Sequence, residues 1–224
     1  MAATINNTLV KIQTVTVGSG GASSIDFTSI PQTYTDLVIK LSARFNSSNT
    51  LVKITYNSNT SSYTRRQLVG ENSSASSYSA SDAFVAYIDG TDQTASTFSN
   101  TEIYIPNYTS SNYKSSSIDT VKENNSSTAW VAALNANLWS NTAAITSISL
   151  SDLSGTASFV QYTTATLYGV SVTGSGTTTP KATGGIISSD LNYIYHTFTA
   201  AGTFTPSTSL TCGVIRPPVS LNTK

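Results

Sequence analysis

Short segments in which apolar and polar residues alternate recur along this sequence, and they constrain the fold more than any other feature. In "TDLVIKLSAR", Leu37, Ile39 and Leu41 fall on one side of an extended chain, and Lys40 and Ser42 fall on the other. A period of two residues is typical of a β-strand with one buried face. Similar segments are found at residues 8–17, 51–57, 81–90, 100–108, 144–152 and 157–172.

Turn-forming residues separate these segments. Gly, Ser and Asn dominate "GSGG" at 18–21 and "NSSNT" at 46–50, and an Asp-Gly pair ends the segment at 81–90. Many short strands at such spacing predict an all-β chain, folded as an antiparallel β-sandwich of jelly-roll type. The turn at 46–50 also predicts a hairpin between the two segments that flank it.

The segment "STAWVAALNANLW" at residues 127–139 is open to two interpretations. Its alanines permit a helix, but Trp130, Ala132 and Leu134 also fit the alternation of a strand. We favour the strand. Trp130 and Trp139 stand among apolar residues, so we expect both of them in the core.

The chain is polar but nearly uncharged. It contains 38 Ser, 36 Thr and 17 Asn, whereas charged residues make up only 10%, with 11 basic residues against 11 acidic ones. Its 12 Tyr, 7 Phe and 2 Trp supply apolar area that disordered chains lack. A neutral surface suits assemblies of many copies, because large fields of one sign repel neighbours.

The same balance argues against several partners. Affinity for nucleic acid depends on Lys and Arg that neutralise phosphates, and Arg65-Arg66 is the only adjacent basic pair. The sequence has no run of about 18 apolar residues, so we expect no membrane insertion. The N-terminus lacks the basic start and apolar stretch of a signal peptide.

The composition changes after Val172. Residues 173–185, "TGSGTTTPKATGG", are rich in Gly, Thr and Pro and predict a linker. We therefore assign residues 1–172 to a β-sandwich domain and residues 186–224 to a C-terminal tail. The tail is too short to bury much surface by itself. We expect a hairpin around Ala201-Gly202 that docks on the main domain or adds a strand to a neighbouring chain.

Three blocks of the main domain carry a resemblance to a known family. "IDFTSIPQTYTDLVIKLSAR" at 25–44 resembles a pattern of virion proteins from tailed bacteriophages, especially phages of aquatic bacteria such as cyanophages. "IYIPNYTSSNYKS" at 103–115 and the stretch from Ala133 to Val170, which ends in "TLYGV", resemble later blocks of that pattern and follow in the same order. The resemblance implies a jelly-roll β-sandwich in the virion.

A second resemblance concerns the tail. "ATGGIISSDLNYIYHTFTAAGTFTP" at 182–206 is similar to the opening of glycine-rich modules at the ends of phage tail fibres. The glycine-rich continuation of those modules is absent here. Tyr193, Tyr195, His196, Phe198 and Phe204 lie in the matching part, and we interpret them as a candidate assembly tail.

Together the resemblances imply a non-enzymatic virion protein on the particle surface. The leading interpretation is a tail fibre or tail-associated protein that acts in assembly and host attachment. A capsid decoration protein is the close alternative, and a glycan-binding module is a further one. The expected partners are other virion proteins, further copies of the chain with a trimer favoured, and a host surface glycan.

Residues suited to catalysis are few. His196 is the single histidine and Cys212 the single cysteine, so no metal cluster is indicated. His196 is a candidate general base, but no Ser or Cys stands in a nucleophile-elbow setting, so we interpret it as a structural or interface residue. Most carboxylates border strands or turns, where Asp commonly binds nearby backbone groups. We expect no enzyme and no cofactor, and a carboxylate pair of the kind that glycosidases use is the weaker alternative.

Tyrosine is the residue type best suited to binding here, because its ring stacks on sugars and its hydroxyl forms hydrogen bonds. We single out Tyr63, Tyr78, Tyr108 and Tyr113 as candidate contacts to a glycan or a protein partner. Tyrosine serves half-buried strands equally well. Both interpretations remain open at this stage.

Overall fold

The computed structural model of the chain describes residues 9–48, 51–125, 130–170, 182–189 and 194–207. All regular elements in these residues are β-strands. The described residues therefore contain no helix with the length and apolar character that crossing a membrane requires. Contacts divide the chain into two compact units, Asn7–Val172 and a second unit made of Met1–Asn6 with Thr173–Lys224.

Two sheets form the larger unit. The eight-stranded sheet contains, in spatial order, β1 (Leu9–Thr16), β12 (Thr164–Val170), β3 (Asp36–Ala43), β8 (Ser99–Ile105), β9 (Lys114–Lys122), β10 (Val131–Trp139), β5 (Tyr63–Glu71) and β6 (Ser74–Ala80). The four-stranded sheet contains β2 (Ser24–Phe27), β11 (Ile148–Asp152), β4 (Leu51–Tyr56) and β7 (Phe84–Tyr87). Every pairing in both sheets is antiparallel.

The path of the chain between the sheets is that of a jelly roll. From β2 to β5 the chain alternates between the four-stranded and the eight-stranded sheet. The β5–β6 hairpin lies within the eight-stranded sheet, and β7 lies in the four-stranded sheet. It then runs through the β8–β9–β10 meander in the large sheet before β11 and β12 close the fold. The orders β1-β12-β3-β8 and β2-β11-β4-β7 are those of the two sheets of an eight-stranded jelly roll, and β9, β10, β5 and β6 extend the first sheet beyond β8. The predicted all-β sandwich is confirmed.

The core lies between the two sheets. Each sheet contributes the apolar side chains of one strand face, such as Ile39 from β3 and Ile54 from β4, both fully buried. Trp139 at the end of β10 packs against Tyr56 and Tyr63, with ring centroids 5.4 and 6.2 Å apart. Aromatic rings thus fill the end of the sandwich where β10, β5 and β4 meet.

The hairpin predicted across residues 46–50 is wrong. β3 pairs with β12 and β8, whereas β4 pairs with β11 and β7 in the opposite sheet. The polar turn therefore carries the chain from one sheet to the other. The physical reason is that β3 and β4 each have one apolar face, and these faces bury each other across the core.

Strand β10 confirms the strand interpretation of residues 131–139. Its inward positions hold Asn135 and Asn137 together with Trp139, whereas Ala132 and Leu134 lie on the solvent side. Trp130 is only half-buried, so its expected place in the core is wrong.

The described residues of the smaller unit form two short ladders. β13 (Ala182–Thr183) pairs with β16 (Thr205–Pro206), and β14 (Ile186–Ser189) pairs with β15 (Ile194–Thr197). The expected C-terminal hairpin is confirmed as the antiparallel pair β14–β15. Its expected position around Ala201-Gly202 is wrong, because the strands that flank this turn, β15 and β16, pair with β14 and β13 instead. β13 also lies inside the stretch 173–185 that was predicted to be linker, and residues 173–181 fall outside the described part of the chain.

Candidate interaction surface

The face of the eight-stranded sheet that points away from the core is called here the outer face. Strand registers place outward side chains in rows that cross the sheet. One row runs through Thr14, Thr166, Lys40, Glu102, Asp119, Leu134, Leu68 and Ser77. The row changes from charged residues at its centre to apolar residues and then to serine near β6.

Three large aliphatic residues on the outer face form what we call the apolar patch. Leu68 is 63% exposed and Leu134 is 59% exposed, and the two lie directly opposite each other on β5 and β10. Val121 on β9 is also exposed and lies diagonally from Leu134. Exposed aliphatic side chains grouped in this way mark contact surfaces more often than isolated ones do.

A shallow groove of about 260 Å³ borders the apolar patch. Its lining includes Glu102, Tyr104, Ser117, Asp119 and Leu134. Ser117 lies between Tyr104 on β8 and Ala136 on β10, and its short side chain leaves the space that forms the groove.

Two carboxylates face each other in this groove. Glu102 and Asp119 lie directly opposite on β8 and β9, and Lys40 on β3 forms an ion pair with Glu102. The Tyr104 hydroxyl donates a hydrogen bond of 2.9 Å to the Asp36 carboxylate, which raises the pKa of Tyr104. The groove therefore presents an aromatic ring, acidic acceptors and an aliphatic wall on an open face. Such a set suits binding of a polyhydroxylated ligand.

Two of the four predicted tyrosine contacts are wrong because the rings are buried. The Tyr63 hydroxyl accepts a hydrogen bond from the Tyr56 backbone N–H at 2.8 Å and donates to the Asn59 carbonyl at 3.1 Å. Burial raises the pKa of Tyr63 to about 12. Tyr108 is fully buried and donates its hydroxyl hydrogen to the Pro31 carbonyl. Neither residue presents a surface to a partner.

The other two tyrosines are exposed at separate places. Tyr78 lies on β6 and Tyr113 lies in the connection between β8 and β9. Tyr78 is opposite Gln67, a residue whose side chain points toward the core. Tyr78 is therefore on the inner side of the large sheet, and the structure does not bring it to Tyr113. Contact by either residue stays a prediction.

Most described carboxylates bind groups of the protein itself. Asp152 is fully buried and accepts hydrogen bonds from the backbone N–H groups of Thr156 and Ala157 at 2.8 and 3.0 Å. Asp82 accepts from the Phe84 backbone and pairs with Arg65. No group of three or more His, Cys, Asp or Glu that is able to hold a metal occurs among the described residues.

Buried charge near one end of the sandwich also has an architectural role. Asp89 is fully buried, and its Oδ1 accepts a hydrogen bond of 3.1 Å from Asn124. Lys122 is buried nearby, where desolvation lowers its pKa although Asp89, Asp92 and Glu71 act in the opposite direction. The ammonium group of Lys122 offsets the carboxylate charge that is buried here.

The three sequence blocks that carry the resemblance to phage virion proteins contact one another in the structure. Ile25, Phe27, Leu37 and Ile39 of the first block are fully buried. The ring of Tyr34 occupies the space beside Gly169, where an added Cβ would lie 2.3 to 2.6 Å from ring atoms. Pro31 of the first block accepts the hydrogen bond from Tyr108 of the second. The three blocks therefore pack together in one core.

The candidate assembly residues of the tail also serve their own unit. His196 Nδ1 lies 2.7 Å from the Gly184 carbonyl, and its ring meets Phe204 edge-on at 5.0 Å. Phe198 packs over Gly184, Gly185 and Gly202, and a Cβ added at Gly202 would lie 2.6 Å from its ring. Tyr195, Phe198 and Phe204 remain exposed in part. Tyr193 lies outside the described residues.

No family model, curated protein or solved structure matches this chain. The kinship to phage virion proteins therefore stays a prediction from the sequence. The residues that sequence reasoning missed are the outward aliphatic ones: Leu68, Val121 and Leu134. A hint was present in β10, where Asn135 and Asn137 alternate with Leu134 and leave its orientation undecided.

Proposed function

We propose that this protein is a non-enzymatic structural protein on the surface of a bacteriophage particle, where copies assemble with one another and with other virion proteins. A tail fibre or tail-associated position is the first assignment, with a role in host attachment. Capsid decoration is the alternative position.

The apolar patch is the observation that carries the proposal. Leu68 and Leu134 lie side by side on the outer face and are both more than half exposed. The chain has few charged residues that would keep this patch hydrated. Covering the patch in an assembly removes its apolar area from water. Most described carboxylates, by contrast, bind groups of the protein itself, which favours a structural role for them over a catalytic one.

Particles purified from an infected culture test the proposal. Peptides of this chain are expected in the intact particle fraction, and antibody labelling in electron micrographs is expected on the particle surface. Detection in the cell lysate together with absence from washed particles would overturn it.

Copy number decides between the two positions. Quantitative mass spectrometry against the major capsid protein is expected to give a handful to a few tens of copies for a tail protein. Hundreds of copies would assign the chain to capsid decoration instead. Labelling confined to the tail or to the head provides an independent answer.

Glycan binding at the groove is a second candidate function, favoured by the position of Tyr104 beside two carboxylates. Calorimetric titration with host envelope polysaccharide tests it. Tyr104→Ala is expected to weaken binding about tenfold, the loss of about one stacking contact. Tyr104→Phe retains the ring and serves as a matched variant, and Ser42→Ala on β3 is the control. No binding by the unaltered chain would exclude this function.

A further inference from the structure

The unpaired edges of the two sheets differ in how they are protected. A sheet edge exposes backbone N–H and C=O groups that pair readily with another strand. Proteins usually block such edges with short strands, bulges, charged residues or covering groups. In the described part of the sandwich, the four edges are β1 and β6 of the large sheet and β2 and β7 of the small one.

Three of these edges carry a protecting feature. β1 contains Lys11 and an irregular register between Lys11 and Gln13. β2 is only four residues long and contains Asp26. β7 is equally short, and two of its carbonyls accept hydrogen bonds of 2.7 Å from the side chains of Asn135 and Asn137.

β6 has none of these features. It is seven residues long, "SASSYSA", with no charge and no proline. Its register with β5 continues without a shift from Glu71–Ser74 to Arg65–Ala80. Its side chains are exposed on both faces up to Ala80, and no described strand pairs with its other side. β6 is therefore the edge at which an added strand meets no obstacle.

We propose that β6 is a self-association edge, which pairs antiparallel with β6 of a second copy across a twofold axis. The two eight-stranded sheets would then continue through one seam. The inference rests on the proposed assembly role and adds to the apolar patch a second contact, whose partner is another copy of the chain. Addition of a strand to a sheet edge is a common mode of protein association.

A second copy fits this edge better than a charged partner does. When the axis passes through Ser77, Ser76 faces Tyr78 and Ala75 faces Ser79, so no like charges meet. Tyr78, 47% exposed in one chain, then lies beside a serine of the partner and loses part of its contact with water. An isologous seam of this kind closes at two copies, in contrast to the trimer expected from the sequence.

Sedimentation equilibrium of the full chain tests the seam. The unaltered protein is expected to form dimers, and Ser77→Lys is expected to raise the dissociation constant at least about tenfold, because two ammonium groups face each other at the axis. Ser42→Lys, an exposed position on the central strand β3, is expected to change nothing. A monomeric unaltered chain, a trimer, or a dimer that resists Ser77→Lys would overturn the proposal.

Crosslinking provides a second test, which detects the seam directly and does not depend on a variant that weakens the dimer. In a Cys212→Ser background, Ser77→Cys is expected to yield a covalent dimer on mild oxidation, and Ser42→Cys is expected to stay monomeric. Equal crosslinking at both positions would contradict the seam. Presence in virions is measured separately, so a failed seam and a failed virion assignment are distinguishable.

Discussion

At the scale of single residues, small side chains and buried hydroxyl groups fix the packing of the sandwich. Gly169 faces inward on β12 and leaves room for the ring of Tyr34. Tyr63 binds the backbone of the turn after β4 while its ring packs on Trp139. Each residue joins segments that are distant in sequence, so each affects the stability of the whole sandwich.

Replacement of Gly169 by alanine is expected to destabilise the sandwich by about 2 kcal/mol, because the new Cβ overlaps the Tyr34 ring and forces it to move. Gly70→Ala on β5 is the matched control, since its Cβ meets only ordinary contacts at 3.8 and 3.9 Å. Urea unfolding monitored by tryptophan fluorescence measures both. Equal midpoints for the two variants would contradict the packing of Tyr34 on Gly169.

Tyr63 is expected to make stability fall in alkaline solution. Its pKa is raised from 10.0 to about 12 by burial, so the folded state holds the proton more tightly than the unfolded state does. The stabilisation is complete below pH 10 and is lost as the pH rises toward 12.

Unfolding free energies between pH 8 and pH 11.5 measure this effect. Tyr63→Phe removes the titrating group, so its stability is expected to fall less steeply over this range than that of the unaltered chain. Identical slopes for the two proteins would show that Tyr63 does not contribute.

At the scale of elements, strand β10 shows how hydrogen bonds override a simple apolar pattern. Asn135 and Asn137 face inward because each amide satisfies a carbonyl of β7, an edge strand of the opposite sheet. Trp139 fixes the same orientation by packing with Tyr56 and Tyr63. Because Asn135 and Asn137 face inward, Leu134 lies on the outer face, where it forms part of the apolar patch.

Asn135→Ala is expected to cost about 2 kcal/mol of stability, because the buried Val85 carbonyl loses its partner. Leu134→Ala on the same strand is expected to cost less than about 0.5 kcal/mol, since its side chain is largely exposed. Thermal and urea unfolding of the two variants provide the comparison. A larger loss for Leu134→Ala would show that the orientation of β10 is reversed.

At the scale of the whole molecule, the two compact units predict separable stability. The unit Asn7–Val172 contains both sheets of the sandwich and the main apolar core. Its stability is therefore expected to depend little on the smaller C-terminal unit.

A chain that ends after Val172 is expected to keep its β-sheet circular dichroism and to melt within about 3 °C of the full chain. If the β6 seam joins the copies, the shortened chain also stays dimeric. Conversion of a full-length oligomer into shortened monomers would favour assembly through the tail residues and contradict the seam. Unfolding of the shortened chain would show that the two units depend on each other.

The sequence by itself determined the all-β class, because a two-residue period with frequent turns leaves a chain little choice but strands. It also located β3 and its buried residues Leu37, Ile39 and Leu41, since propensity and pattern agree there. Local pattern does not record which strands pair, so the sequence wrongly joined β3 to β4.

Only the tertiary structure decided the inward turn of Asn135, the burial of Tyr63 and Tyr108, and the exposure of Leu68 beside Leu134. Each of these depends on groups far away in the sequence, such as the β7 carbonyls or the Pro31 carbonyl. The unprotected state of β6 likewise follows from its place at the end of the sheet. Long-range contacts therefore decide which residues of this polar chain remain available to a partner.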